Sequence, residues 1–208
     1  VISDQLTTPG KPSLNCDDID SFKVANLAGA CNNRLRNIVV ADGGSKFFIS
    51  NTSGRIMRFD LSTPNEFKTN TFVQSIVTHA DMHGFALSDD GTKLITIRFT
   101  NSTPLVTTYQ LPNPYDISSI TQIHQVDLTD IGVTLPSGTN FGRDIEFSKS
   151  GLAMFVLIQN TESDENDTSD IYQFTLGKKF DVSTATLIGN YDVNNFGNDP
   201  TGLGFPIG

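Results

Sequence analysis

From Arg36 onward the chain alternates apolar and polar residues in short runs bounded by Gly, Asn, Asp and Ser. Phe59, Tyr109 and Phe174 each stand two places before a leucine, Leu61, Leu111 and Leu176. In an extended chain a spacing of two sends both members of such a pair to one sheet face. The residues between them, Asp60, Gln110 and Thr175, then face the other way. A helix needs spacings of three and four, which no long stretch sustains. The pattern predicts strands throughout.

Those strands fall into one pattern written three times. A turn carrying Gly44-Ser45-Lys46, Gly91-Thr92-Lys93 or Gly151-Leu152-Ala153 opens an apolar run, and a polar hairpin and a longer strand follow. Repetition at roughly 40–60 residues points to a propeller or stacked array. The expected strands are 37–41, 46–50, 55–61 and 72–78; then 84–88, 93–98, 105–111 and 122–128; then 143–148, 153–159, 170–176 and 186–192. The predicted fold is all-β, about three repeated four-stranded antiparallel sheets of β-propeller type, occupying 36–80, 81–138 and 139–199.

The ends look unlike the middle. Residues 1–35 form an N-terminal arm interrupted by Pro9, Gly10 and Pro12, with an orphan strand expected in 21–29. Residues 200–208 repeat the opening strand of a unit and lack its sequel. Unpaired terminal strands of this kind template association with neighbours.

Three phrases carry a family resemblance: Leu87-Ser88-Asp89-Asp90-Gly91-Thr92-Lys93-Leu94, Asn113-Pro114-Tyr115-Asp116-Ile117-Ser118-Ser119, and Lys179-Phe180-Asp181-Val182-Ser183-Thr184. They resemble the repeats, of the form SPDGTKLFV … YDLSTPYDISTAT, of β-propeller-like proteins of bacteria and their phages. The likeness runs over most of 36–205. The third repeat departs from it at Lys149-Ser150-Gly151-Leu152, the first at Asn65-Glu66-Phe67-Lys68-Thr69. The resemblance implies four-stranded sheets in radial or stacked order and brings no catalytic motif. Closed propellers have at least four blades, which puts single-chain closure of three in question.

Composition narrows the partners. The net charge of −9 repels a phosphate backbone, so nucleic acid is not an expected partner. No apolar run reaches the roughly 18–20 residues that span a bilayer, and no membrane insertion is expected. The acidic, lysine-poor composition favours an extracellular or cell- or virion-surface location. There Cys16 and Cys31 would form a disulfide, the alternative being two thiols.

Few residues suggest chemistry. His79-Ala80-Asp81-Met82-His83 has the spacing of a helical Zn²⁺ pair but lies between two sheets, where a polar linking loop is expected. His124 reads as an ordinary strand residue. Asp164, Asn166, Thr168 and Asp170 alternate like the start of a Ca²⁺ loop, but the run lacks the loop's glycine and terminal glutamate. A solvated hairpin tip is the competing reading. Asn51, Asn101 and Asn166 head Asn-x-Ser/Thr sequons at equivalent hairpins, where they are glycan acceptors or simply turn residues. Arg36 and Arg143 precede matching strands, with Asp144 and Glu146 nearby. They are expected either to line a channel or to bridge sheets as ion pairs. No nucleophile elbow or phosphate-cradling loop is present, and no cofactor is expected beyond weakly held Ca²⁺.

The leading expectation is a non-enzymatic extracellular structural protein, a subunit of a surface fibre, pilus-like filament or phage appendage that self-assembles through its terminal strands. The alternative is an adhesin or receptor-binding propeller module recognising a glycan or protein. A Ca²⁺-dependent propeller hydrolase or lactonase ranks third.

Overall fold

The computed structural model describes residues 35–100, 103–135, 139–161 and 168–193. Twelve strands make three antiparallel meanders. The first contains β1 (Leu35–Ala41), β2 (Lys46–Asn51), β3 (Arg55–Leu61) and β4 (Asn70–Val77). The second contains β5 (Met82–Leu87), β6 (Lys93–Thr100), β7 (Thr103–Gln110) and β8 (Thr121–Asp127). The third contains β9 (Thr139–Phe147), β10 (Ala153–Thr161), β11 (Thr168–Leu176) and β12 (Ala185–Asp192). Each strand pairs with its neighbour in sequence, and β5 lies against both β1 and β9. The opening strands of the three sheets therefore converge on one side, as the inner strands of propeller blades do. The expected orphan strands at 21–29 and 200–208, and the Cys16–Cys31 bridge, lie outside the described residues.

The sheets pack face to face because both faces of their strands are apolar. Phe48 and Ile56 of the first sheet meet Phe85, Leu94, Tyr109 and Leu111 of the second. On its opposite face the second sheet presents Ile95, Ile97 and Val106 to Ile145, Met154, Val156 and Phe174 of the third. The aligned residues Phe59, Tyr109 and Phe174 are buried, as are Leu61, Leu111 and Leu176, whereas Gln110 and Thr175 are exposed. Period two in the sequence thus becomes inside and outside in the sheet.

The loop after each third strand explains the rest of the repeat. Tyr115 and Phe180 take left-handed backbone angles (φ 62° and 51°), and Asn65 does the same in the first sheet (φ 64°). Their N–H groups donate to the carbonyls of Gly91 (2.7 Å), Gly151 (2.9 Å) and Gly44 (2.9 Å). The aromatic ring thereby lies over the glycine of the Gly-Thr-Lys turn. A Cβ on Gly91 would come within 2.6 Å of the Tyr115 ring, and one on Gly151 within 2.4 Å of Phe180. Asp116 and Asp181 then accept the N–H groups of Ser118 (2.9 Å) and Ser183 (3.2 Å), closing the loop. Behind each aspartate a buried side chain, Ile117 or Val182, anchors it to the core.

This loop also ties one sheet to the previous one. Arg58 of the first sheet, held on Asp60 by two 2.8 Å bonds, donates to the Tyr115 carbonyl at 3.0 Å. The Lys46 ammonium lies 5.7 Å from the centre of the Tyr115 ring. One sheet later Lys93, at the position of Lys46, donates to the Phe180 carbonyl at 3.2 Å. In the third sheet that position is Ala153, and the first sheet offers Asn65 where the others offer an aromatic. The two departures from the repeat stand at the two ends of the described array.

Candidate functional site

Two features lie outside the repeat's own packing. One is the face of the first sheet turned away from the second. It carries Phe47, Ile49, Met57, Phe59 and Leu61, with Phe67 packed edge-on to Phe47 at 4.8 Å between ring centres. Cross-strand register places Ile38 opposite Ile49, Val40 opposite Phe47 and Phe72 opposite Phe59, so these three share that face. They remain 54%, 48% and 38% exposed. No other described sheet packs there. A sheet that met only water on one side would be polar on that side, and this one is not. The corresponding outer face of the third sheet carries the half-buried Phe155, Leu157 and Ile171, which alternate with the core residues Met154, Val156 and Tyr172 and so lie on the other face.

The second feature is a cluster where β1, β5 and β9 converge. A bulge between Leu35 and Ile38 carries Arg36 and Asn37, another next to Gly84 carries His83, and a third carries Arg143. Each bulge re-aims one side chain out of the strict alternation. Arg36 Nη1 lies 3.3 Å from His83 Nδ1, and the His83 ring lies 6.0 Å from that of Phe141. The Arg143 guanidinium sits 4.9 Å from the Phe141 ring while its Nε donates to Gln159 Oε1 at 2.6 Å. Beside them Asn37 Nδ2 donates to Asp144 Oδ1 at 2.6 Å, which also accepts the Ile145 N–H at 3.0 Å. Gly84 permits the approach, since a Cβ there would come within 2.7 Å of the Asp144 Cα.

Burial decides the charges of this cluster. Desolvation, helped by the Arg36 and Arg143 cations and opposed by Asp81, lowers the His83 pKa from the ordinary 6.5. The imidazole is therefore neutral at pH 7. A guanidinium can only donate, so Nδ1 accepts from Arg36 and the imidazole proton sits on Nε2. Desolvation, helped by Glu146, raises the Asp144 pKa above 3.8, against the N–H groups of Ile145 and Asn37.

The sequence-predicted residues disperse. His79 stands in the link before β5 and its Nε2 is hydrogen-bonded to the Tyr109 hydroxyl, whereas His83 is a buried strand residue. The five-residue cluster is thus not one polar loop, and its two histidines serve different neighbours. His124 lies on β8, 3.9 Å from Asp181 of the third sheet. Among the contacts described, Arg36 lies on His83, Arg143 donates to Gln159 and Asn37 donates to Asp144. Glu146 accepts the Phe147 N–H at 3.2 Å.

Among the sequon residues, Asn51 is fully buried and its Oδ1 accepts the N–H groups of Ser53 and Arg55 at 3.1 Å each. This side chain builds the hairpin from inside and does not face solvent where a glycan could sit. Asn101 and Asn166 lie outside the described residues. So do Asp164 and Asn166 of the Ca²⁺ candidates. Of the other two, Thr168 begins β11 and Asp170 accepts a bond from Asn190 at 3.0 Å. Among the described residues no group of three His, Cys, Asp or Glu side chains is placed to hold a metal, and no helix is long and apolar enough to cross a membrane.

No family model matches the sequence, and no curated protein matches it. Several solved structures are similar to it in fold. A 6-phosphogluconolactonase assigned in Bacteroides fragilis shares 14% identity at a TM-score of 0.45, over 77% of this chain and 38% of that one. The periplasmic gluconolactonase of Pseudomonas aeruginosa shares 16% at 0.44, over 77% and 39%. The Nup133 β-propeller domain of Vanderwaltozyma polyspora shares 12% at 0.48, over 79% and 47%. This chain therefore spans less than half the length of each.

Proposed function

We propose that the chain is a non-enzymatic structural protein, a subunit of an extracellular assembly such as a surface fibre or phage appendage. The observation that carries this reading is the apolar outer face of the first sheet, with Ile38, Val40 and Phe72 exposed at its margins. Its occupant is the outer face of the third sheet of a second copy, because the two described interfaces already join sheets in that order, front to back. Such a head-to-tail contact is heterologous, and it gives a ring if it closes and a filament if it does not. Terminal strands expected from the sequence would reinforce the same joint by strand addition.

Sedimentation velocity and negative-stain microscopy of the full chain test this. The expected result is concentration-dependent assembly, abolished in the double variant Ile38→Lys, Val40→Lys with the monomer still folded by circular dichroism. A monomer at every concentration, or assembly unchanged in that variant, overturns it. The non-enzymatic part is challenged by a lactone-hydrolysis assay, in which turnover lost in His83→Gln would refute it.

A further inference from the structure

Where the turn of the second sheet meets the turn and loop of the third, a cleft of about 240 Å³ opens between them. Asp89, Asp90 and Lys93 line it from the second sheet, Lys149, Lys179 and Phe180 from the third. Lys93 is already placed, since its ammonium donates to the carbonyls of Lys179 at 3.5 Å and Phe180 at 3.2 Å. Lys149 and Lys179 are exposed, and among the described residues neither ammonium makes a hydrogen bond or an ion pair. Asp90 is turned into its own turn. Its Oδ1 accepts from the Ser88 hydroxyl (2.6 Å), the Thr92 N–H (3.0 Å) and the Thr92 hydroxyl (2.8 Å). Asp89 is exposed and pairs with none of the three lysines.

The other copies of the repeat show what is unusual here. Lys149 stands two residues before Gly151, where the other two turns have Asp42 and Asp89. Lys179 immediately precedes the left-handed Phe180, where the other loops have Pro64 and Pro114. Both departures add positive charge, and both line the same cleft. At the corresponding places of the first seam stand Asp42, Lys46, Asp89 and Asp90, three carboxylates against one ammonium, and Lys46 is paired with Asp42. Burial, and then those three carboxylates, push the Tyr115 phenol up from 10.0. The second seam reverses the balance, with three ammonium groups against two carboxylates, in a chain of net charge −9 with 14 basic residues. A cleft lined by an excess of one sign concentrates ions of the other. An ammonium is a compact point charge without the guanidinium fork, so lysines favour an anion whose charge is multiple and concentrated. The volume lies below the roughly 300–1,000 Å³ of larger ligand pockets, which limits the body such an anion can carry.

We infer that the cleft between the second and third sheets, lined by Lys93, Lys149 and Lys179, binds a dianionic phosphate group, as the free ion or as the head of a small ester. Lys93 is held in place by the Phe180 carbonyl, and Lys149 and Lys179 close on the anion from the third sheet. The cleft stands apart from the apolar outer face of the first sheet, so its occupancy is independent of how the chain assembles.

The experiment is an NMR titration of the full chain with inorganic phosphate and with glycerol phosphate at about pH 8, where the phosphate is doubly charged. The amide resonances of Ser150, Gly151 and Lys179 are followed, with acetate at matched ionic strength as a parallel arm. The expected result is a saturable shift with phosphate and none with acetate over the same range. Lys149→Asp restores the residue of the other two turns and should weaken binding at least tenfold. Lys178→Gln, at an exposed lysine that does not line the cleft, should leave it unchanged. Either phosphate arm saturating supports the inference, and the tighter of the two identifies the source as free ion or ester. Absence of a saturable shift, an equal response to acetate, unchanged affinity in Lys149→Asp, or an equal loss in Lys178→Gln overturns it.

Discussion

His79 and His83 carry much of what this chain does in response to acid. Burial lowers both pKa values below 6.5, with Arg98 adding to the effect at His79 and Arg36 and Arg143 at His83. The unfolded chain therefore takes up these protons first. The stability contributed by the neutral rings is fully present above pH 6.5 and is lost as pH falls from there toward the lower folded values. Urea midpoints should drop between pH 7 and pH 5, and imidazole titration should give His79 and His83 values under 6.5. Asp144 behaves in the opposite sense. Its pKa is raised, so the stability it contributes belongs to the protonated form, is present below 3.8 and is lost as pH rises. Asp144→Asn preserves an oxygen for Asn37 and Ile145 and removes the buried charge. Its melting temperature should exceed that of the parent at pH 7 and converge with it near pH 3. None of this was legible in the sequence, where His83 looked like part of a polar link. Its burial depends on β1 and β9, which lie far away along the chain.

At the scale of an element, the recurring turn is where sequence and structure agree most closely. Gly91 is fixed by two independent demands, a positive φ of 66° and the Tyr115 ring 2.6 Å from where a Cβ would stand. Gly91→Ala should cost about 1–3 kcal/mol in chemical denaturation. Gly189, in a strand with nothing within 4 Å of a Cβ, is the control, and Gly189→Ala should be neutral or slightly stabilising. The lysine of the same turn reaches the next sheet. Lys93→Met should destabilise by about 1 kcal/mol through loss of the Phe180 carbonyl bond, while Lys179→Met, whose side chain is exposed, should stay within about 0.5 kcal/mol. Strand positions were readable because alternation survives burial on both faces. The expected starts and ends fall within four residues of those observed, with the largest shift at β9, which begins at Thr139 instead of Arg143. That difference has a local cause: the bulge at Arg143 breaks the alternation and hides the four residues before it. The left-handed aromatic was not readable, since Tyr115 and Phe180 are residues that rarely adopt such angles.

For the whole molecule, the repeat made the architecture legible, and the departures from it stand in the first and third of the described sheets. Leu152-Ala153 and Asn65 read in the sequence only as weaker matches. In the structure they are the missing cation of the last sheet and the missing aromatic of the first. The cluster where β1, β5 and β9 converge was half visible, because Arg36 and Arg143 occupy equivalent places. The ring contact between His83 and Phe141 was not visible, because nothing local in the chain relates them. Core truncations should test whether the three sheets fold as one unit. Ile97→Ala, between the second and third sheets, should cost about 2–5 kcal/mol and shift circular dichroism and aromatic fluorescence together. Separate transitions would mean that the first sheet unfolds on its own.

The cation that the first and second sheets each extend to the next makes the order of the sheets directional, like links that couple only head to tail. The middle sheet both extends a lysine and receives one, so a duplicate of it inserted beside the original would couple correctly at every seam. A duplicate of the third sheet would follow Ala153 and find nothing to hold it. Tandem duplication could therefore lengthen such an array from its interior alone. The outer face of the first sheet is a surface of another kind, apolar where the inner seams carry a cation.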